Sequence, residues 1–239
     1  MTTNTPVTNA QYMRRAFLLL VPFFMVLCAF FMSWYPGKNG EKVNGLDYLD
    51  NFFNGLAKSS ANYIDEQRQK LNAYNGVTFD RTMAMNSEKS AQLTAQILTA
   101  NNIKAEVKEK SVAVQGDLGA MFNAMLDDTK LMYNNNGAQI SSKYGGVDAR
   151  EVINSWYISM SALEKDFTKA GKFDKAKDVS MVKTKALEPA YNFYGVQATP
   201  VKDSIFLLAF SLIFYVVYTV WFGFGVLFFF EGLGIRLSH

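Results

Sequence analysis

Two uncharged apolar runs dominate the hydropathy pattern of the chain. The first covers residues 16–35 and the second covers residues 205–230, and neither contains a charged side chain. At 1.5 Å per residue the runs give helices of about 30 and 39 Å, which match a hydrocarbon core of about 30 Å. We therefore predict two transmembrane helices. The first is predicted to be an uncleaved signal anchor, because its apolar stretch is too long for a signal peptide and no small-residue cleavage site follows it.

Between the two runs the period of the pattern changes several times. Helical spacing of Leu and Phe over 46–56 predicts a first helix, and the later segments follow in a definite order. Strands are predicted at 77–83, 103–108, 111–115 and 138–144, and helices at 87–101 and from the N-cap Asp117 to Asn134. The order β-α-β-β-α-β is that of ferredoxin-like folds. We therefore expect residues 36–203 to form an α+β domain with a ferredoxin-like core.

Two amphipathic helices complete this predicted domain. Asp148 is placed to cap the first, whose apolar stripe runs to Phe167, and Gly171 is placed to end it. The second begins at Phe173, and Pro189 is expected to interrupt it. Because the connection between them is short, we predict an antiparallel helical hairpin.

Charged residues beside the apolar runs predict the orientation of the chain. Arg14 and Arg15 precede the first run and Arg236 follows the second. The positive-inside rule then places the short tails 1–15 and 231–239 in the cytoplasm and residues 36–203 outside it. The chain has no N-x-S/T sequon, which fits a bacterial origin, so the expected location is the cytoplasmic membrane with a periplasmic domain.

Charged and aromatic residues are distributed differently between the predicted domain and the two apolar runs. The predicted domain holds 41 of the 45 charged residues, whereas the two runs hold 18 of the 35 aromatic residues. The near-zero mean hydropathy is thus an average over a membrane anchor and a water-soluble domain. The net charge of +3 is no argument for nucleic-acid binding.

The chemical inventory excludes several classes of enzyme. The one cysteine, Cys28, lies within the first apolar run, and the one histidine is His239. This excludes a disulfide framework, a cysteine-rich zinc module and an internal histidine-based triad. We expect no catalytic residue, metal site or cofactor. Adjacent acids such as Asp127 and Asp128 are predicted to be solvated, since neighbours along a helix point in different directions.

Membrane-interface and helix-packing candidates come from the apolar runs. Trp34 and Tyr35 are expected at the interface, and Trp221 in a lipid-facing aromatic belt. Small and hydroxyl residues allow a second helix to approach, and here they are Ser211, Thr219, Gly223 and Gly225. Glu231 is expected to be an interfacial anchor that pairs with Arg236; a deeper position would instead imply an ion path.

A basic segment provides a candidate contact surface on the predicted domain. Its members are Lys165, Lys169 and Lys172, with the nearby rings of Trp156 and Tyr157. They could face anionic lipid or an acidic partner. The alternative, which we favour for the lysines, is a solvated helix surface with i,i+4 ion pairs.

These features lead to one functional hypothesis and an alternative. The two runs, with little predicted cytoplasmic mass and no catalytic motif, favour a non-catalytic accessory or structural subunit of a larger bacterial membrane complex. Its expected partners are the lipid bilayer and other membrane-protein subunits. The alternative is an extracytoplasmic ligand-sensing module that signals through a separate protein and binds a small molecule. A pocket lined by several of Tyr133, Tyr144, Trp156 and Tyr157 would favour that alternative.

Overall fold

The computed structural model describes residues 8–37 and 40–235, and it divides into two compact units. The first unit comprises the described parts of 1–56 and 199–239, and the second comprises 57–198. The helices are α1 (Asn9–Phe31), α2 (Gly45–Ser60), α3 (Ile64–Leu71), α4 (Glu88–Ala100), α5 (Leu118–Tyr133), α6 (Gly137–Lys143), α7 (Ala149–Lys169), α8 (Phe173–Val182), α9 (Glu188–Asn192) and α10 (Val201–Gly232). The strands are β1 (Tyr35–Pro36), β2 (Lys42–Val43), β3 (Thr78–Ala84), β4 (Lys104–Lys108) and β5 (Ser111–Asp117).

Helices α1 and α10 are both long and apolar enough to cross a membrane. Helix α1 begins before the uncharged run because Thr8 and Gln11 form a capping box, in which each side chain accepts a hydrogen bond from the other residue's backbone N–H. It ends at Phe31, so Trp34 and Tyr35 lie beyond the helix, where Tyr35 belongs to a short β1–β2 hairpin.

The two long helices pair with each other in antiparallel directions. Buried and half-buried residues recur in both helices at spacings of three and four, with one spacing of seven in α10, which is the pattern of a left-handed helix pair. In α1 they are Met13, Ala16, Leu20, Phe23, Leu27 and Phe30; in α10 they include Ser204, Leu207, Ser211, Tyr218, Trp221, Gly225, Phe228 and Gly232. We refer to this interface as the α1–α10 seam.

A three-stranded antiparallel sheet lies in the second unit, in the order β3-β5-β4. Helix α4 connects β3 to β4 along the chain, and β5 lies between these two strands in the sheet. Met83 pairs with Val112, and both are buried on the face that packs against the helices. The alternate residues, such as Thr82 and Lys104, face away from that core.

The fourth strand of the predicted ferredoxin-like pattern is not formed. Residues 138–144, predicted as a strand, instead contribute to α6 and its C-cap Tyr144. Both Ile140 and Tyr144 are buried. Their spacing of four fits one face of a helix as well as one face of a strand, so this short alternation could not distinguish the two periods. The six-element ferredoxin-like order is therefore incomplete.

Helices α7 and α8 pack as an antiparallel hairpin. The ammonium group of Lys183 lies 2.9 Å from the Glu164 carboxylate, and that of Lys175 lies 6.0 Å from the ring centroid of Phe167. Pro189 does not end the helical segment. A π-helical turn at Lys183–Leu187 precedes it and leads into α9, an arrangement that relieves the clash of a proline ring with the preceding turn.

Candidate functional site

The α1–α10 seam is the best-defined packing site in the first unit. The Phe23 ring stacks on Tyr218 with centroids 4.4 Å apart and meets the edge of Trp221 at 5.9 Å. The indole N–H of Trp221 donates to the Leu19 carbonyl at 3.0 Å. Pro22 lies inside α1 and lacks an N–H, so it cannot donate to the carbonyl of Leu18 one turn earlier. Trp221 is therefore a cross-helix contact of the seam.

The two candidate glycines in α10 have different surroundings. A Cβ atom added at Gly225 would lie 2.6 Å from Cδ2 of Leu20, so this glycine permits close approach of α1. A Cβ added at Gly223 would meet no atom within 4 Å. Further along the seam, a Cβ at Gly232 would lie 2.8 Å from the backbone nitrogen of Met13. Gly225 and Gly232 thus serve the internal helix pair, whereas Gly223 does not.

The candidate hydroxyl residues bond within their own helix. Ser211 donates to the Leu207 carbonyl and Thr219 to the Tyr215 carbonyl, each at 2.7 Å. Neither hydroxyl joins α10 to α1. The side chain of Thr219 is exposed, as is Gly223 one turn further along the helix.

The predicted interface residues lie at the two ends of the helix pair. At one end Arg14 is exposed, and the guanidinium of Arg15 lies 5.9 Å from the Phe228 ring centroid. Glu231 is half-buried at the end of α10. Its predicted partner Arg236 lies outside the described residues. At the other end Trp34 is exposed.

An apolar groove occupies the first unit close to this second end. It has a volume of about 350 Å³ and lies between α1, α2 and α10. The stacked rings of Tyr35 and Tyr48, 5.5 Å apart, and a hydrogen bond from the Thr199 N–H to the Gly55 carbonyl hold the part of α2 up to Leu56 in this unit. The groove is lined by Val26, Leu27, Phe30, Phe31, Leu49, Phe53, Ser211, Leu212, Phe214, Tyr215 and Tyr218.

A buried carboxylate organises the core of the second unit. Asp128 is 0% exposed and accepts hydrogen bonds from the Tyr144 hydroxyl, from the Trp156 indole N–H at 2.8 Å and from the Lys143 ammonium group at 2.8 Å. Burial, reinforced by the Asp128 carboxylate, raises the pKa of Tyr144. The prediction that Asp128 is solvated is therefore wrong, although its neighbour Asp127 does face outward and pairs with Arg68.

Most of the candidate aromatic residues of this unit lie in its core rather than at its surface. Trp156 is 1% exposed and belongs to the core, which corrects its assignment to a contact surface. Tyr133 and Tyr144 are buried as well, and the Tyr133 hydroxyl donates to the Lys58 carbonyl. Burial raises the pKa of Tyr133. Tyr157 lines a surface groove of about 240 Å³, whereas the other three rings are buried in the core.

The lysine candidates divide into two groups. Lys165 and Lys169 are exposed on α7. Lys172 lies in the turn between α7 and α8, where it lines a larger groove together with residues of β3. Within residues 8–37 and 40–235, no group of three or more His, Cys, Asp or Glu residues is arranged to hold a metal ion.

Sequence reasoning missed two buried charged residues. Lys58 is 2% exposed, and its ammonium group donates to the side chain of Asn135 and to the carbonyls of Phe193 and Val196 at 2.8–3.1 Å. Nothing in the local pattern indicates this. Asp128, by contrast, had a visible signal: it lies three residues after Met125 and four before Met132, on the apolar stripe of α5.

No protein-family model matches the chain, and no curated protein and no solved structure is significantly similar to it. The structure itself defines a broad class. It has a pair of helices long and apolar enough to cross a membrane and a separate α+β unit.

Proposed function

We propose that the chain is a non-catalytic accessory or structural subunit of a larger bacterial membrane protein complex. Its two long helices would lie in the cytoplasmic membrane, with both termini in the cytoplasm and residues 36–203 outside. There the α+β unit would be held against partner subunits. The proposal rests on one face of α10 that the helix pair does not use.

That face contains Val216, Thr219, Val220 and Gly223, and we call it the open face of α10. All four residues are exposed. Because a helix turns about 100° per residue, Gly223 lies almost opposite Gly225, which packs on Leu20 of α1. The helix therefore presents one small-residue surface to α1 and another away from it.

The open face has the chemistry of a helix-packing surface. Thr219 and Gly223 are four residues apart, which is the small-xxx-small spacing that lets two membrane helices approach closely. Lipid chains can cover any apolar face, but Thr219 and Gly223 offer them little side-chain surface to contact. A partner helix gains van der Waals contact there, which supports a partner subunit as the occupant.

The test is extraction of the full chain from its native membrane in mild detergent, followed by native mass spectrometry. We expect the wild-type chain to be recovered with other chains at fixed stoichiometry. The Gly223→Leu variant should lose them, because a large side chain fills the approach surface. Cys28→Leu places the same leucine side chain on an exposed site of α1, away from the open face of α10, and should retain them.

Two outcomes would overturn the proposal. One is a wild-type chain recovered alone under conditions that preserve other complexes. The other is an unchanged stoichiometry in the Gly223→Leu variant. The aromatic pocket that would have favoured the ligand-sensing alternative is not formed by these rings, because Tyr133, Tyr144 and Trp156 are core residues whereas Tyr157 lines a surface groove.

A further inference from the structure

A groove in the second unit combines an apolar floor with a basic rim. It lies between β3, the end of β5 and the turn from α7 to α8, and its volume is about 580 Å³. This falls within the range of about 300–1,000 Å³ that is usual for small-molecule sites. We call it the basic groove. Its lining residues lie within 57–198, so it belongs to this unit alone.

The floor of the basic groove is apolar. Leu118 and Phe167 are core residues whose side chains reach the groove, and the half-buried Phe79 lies beside them. Gly116 lies opposite Phe79 in the sheet and contributes no side chain. The floor can therefore accommodate an aromatic ring or a short hydrocarbon body.

The rim carries three cations and one carboxylate. Arg81 extends from β3, and Lys172 and Lys175 come from the turn and the first turn of α8, whereas Asp80 is the one acid in the lining. Across the residues that the structure describes, none of these three cations forms an ion pair. The Arg81 guanidinium donates to the Asp80 carbonyl at 3.0 Å. The rim thus has an excess of positive charge.

We propose that the basic groove binds a small organic carboxylate with an apolar or aromatic body. The apolar part would lie on Phe79 and Phe167, and the carboxylate would be held by Lys172 and Lys175 with Arg81 beside them. Charge-assisted hydrogen bonds from such donors are stronger than neutral ones. This inference is independent of the proposed role as a complex subunit.

An acidic peptide added to the edge strand β3 is a competing occupant. At the two ends of the β3–β5 pair, the Val77 carbonyl accepts from the Leu118 N–H and the Met85 N–H donates to the Lys110 carbonyl. The backbone groups of the odd-numbered residues of β3 therefore point to β5. The backbone groups of Asp80 therefore point to the open edge, where the Arg81 guanidinium already occupies the Asp80 carbonyl. An occupied acceptor disfavours strand addition, so the small carboxylate is the better fit.

The experiment uses the full chain in nanodiscs of zwitterionic lipid and isothermal titration with naphthalene-2-carboxylate. We expect saturable binding at one site. The Lys172→Ala/Lys175→Ala double variant should weaken binding about tenfold or more, since two charged donors are lost. The Lys165→Ala/Lys169→Ala variant removes the same charge from exposed positions of α7 outside the groove and should bind as the wild type does.

Two further arms keep the proposal falsifiable. If the double variant does not fold, Arg81→Gln replaces it, because that side chain is exposed on β3 and should weaken binding in the same direction. The neutral naphthalene-2-carboxamide should bind about tenfold more weakly than the acid. Equal binding of acid and amide, equal loss in both lysine variants, or no saturable binding of the acid would overturn the proposal. If an oligoglutamate peptide binds and naphthalene-2-carboxylate does not, the proposal is overturned in favour of strand addition.

Discussion

Two neighbouring carboxylates show how strongly a single helical step changes a residue's environment. Asp127 is exposed and forms an ion pair of 2.7 Å with Arg68, whereas Asp128 is enclosed in the core. Because successive residues of a helix point about 100° apart, α5 turns one acid to water and the other to Tyr144 and Trp156. The same residue type therefore makes very different contributions to stability.

Replacing each acid by alanine tests this difference. Asp128→Ala leaves the Tyr144 hydroxyl and the Trp156 N–H without their buried acceptor, and we expect the free energy of unfolding to fall by about 3 kcal/mol. Asp127→Ala removes a surface pair and should cost less than about 1 kcal/mol. Urea unfolding of the full chain in mild detergent, followed by circular dichroism, measures both. Similar losses in the two variants would contradict the structure.

A buried tyrosine predicts a loss of stability at alkaline pH. Burial, together with the hydrogen bond of 2.6 Å that its hydroxyl donates to Asp178, raises the pKa of Tyr74 above the ordinary value of 10.0. Above about pH 10 the unfolded chain loses this phenolic proton while the folded chain keeps it, so stability falls as pH rises. The stabilising contribution is complete below the pKa of the unfolded chain.

The thermal midpoint of the full chain, measured from about pH 9 to about pH 11, should therefore decline. Tyr74→Phe should show a shallower decline, since phenylalanine does not ionise, at the expense of some stability at neutral pH. Tyr191→Phe, at an exposed position, is the control and should follow the wild type. An unchanged slope in Tyr74→Phe would argue against this role of Tyr74.

At the level of elements, local end signals predicted helices better than alternation predicted strands. Ser87, Asp117 and Asp148 all cap helices through side chains that accept backbone N–H groups, and these three helices lie where the sequence predicts them. The segment at 138–144 has no such distinctive signal. In the structure its Tyr144 donates a hydrogen bond to Asp128, a tertiary contact that the local sequence does not reveal.

The residues of the α1–α10 seam could not be predicted from the sequence, because no polar face marks the orientation of α10. Helix α10 is apolar on all sides, so its pattern does not reveal which face meets α1. In the sequence, Gly223 and Gly225 are equally suited to close approach of another helix. They differ only in the structure, where Gly225 packs on Leu20 and Gly223 does not. The sequence therefore marks both glycines as small residues without showing which of them contacts α1.

A series of glycine replacements tests the seam. Gly232→Ala should cost about 1–3 kcal/mol, because its Cβ would meet the backbone of Met13, which cannot move without shifting α1. Gly225→Ala should cost less, since the end of the flexible Leu20 side chain can rotate away. Gly223→Ala should change stability by less than about 0.5 kcal/mol. Thermal denaturation in mild detergent ranks the three variants by loss of stability. If Gly223→Ala were the most destabilised of them, the result would contradict the seam.

At the scale of the whole molecule, the helix pair constrains topology. Gly232 packs on Met13 at one end of the seam, so the beginning of α1 and the end of α10 lie together. If both helices cross a membrane, residues before α1 and after α10 are then on the same side. The arginines at 14 and 15 favour the cytoplasm for that side, because basic residues beside a span are retained there.

Labelling with a membrane-impermeant maleimide tests this orientation. Cys28→Ser removes the chain's one cysteine, and a new cysteine is then introduced by Lys104→Cys in β4 or by Gln11→Cys near the start of α1, both at exposed positions. In intact bacterial cells whose outer membrane admits the reagent, we expect the Lys104→Cys variant to be labelled. The Gln11→Cys variant should be labelled only after the inner membrane is opened. The reverse pattern would invert the proposed topology. Labelling of both variants in intact cells would contradict a membrane-spanning pair. The reason is that a membrane-spanning α1 leaves residue 11 on the side opposite the chain that follows this helix.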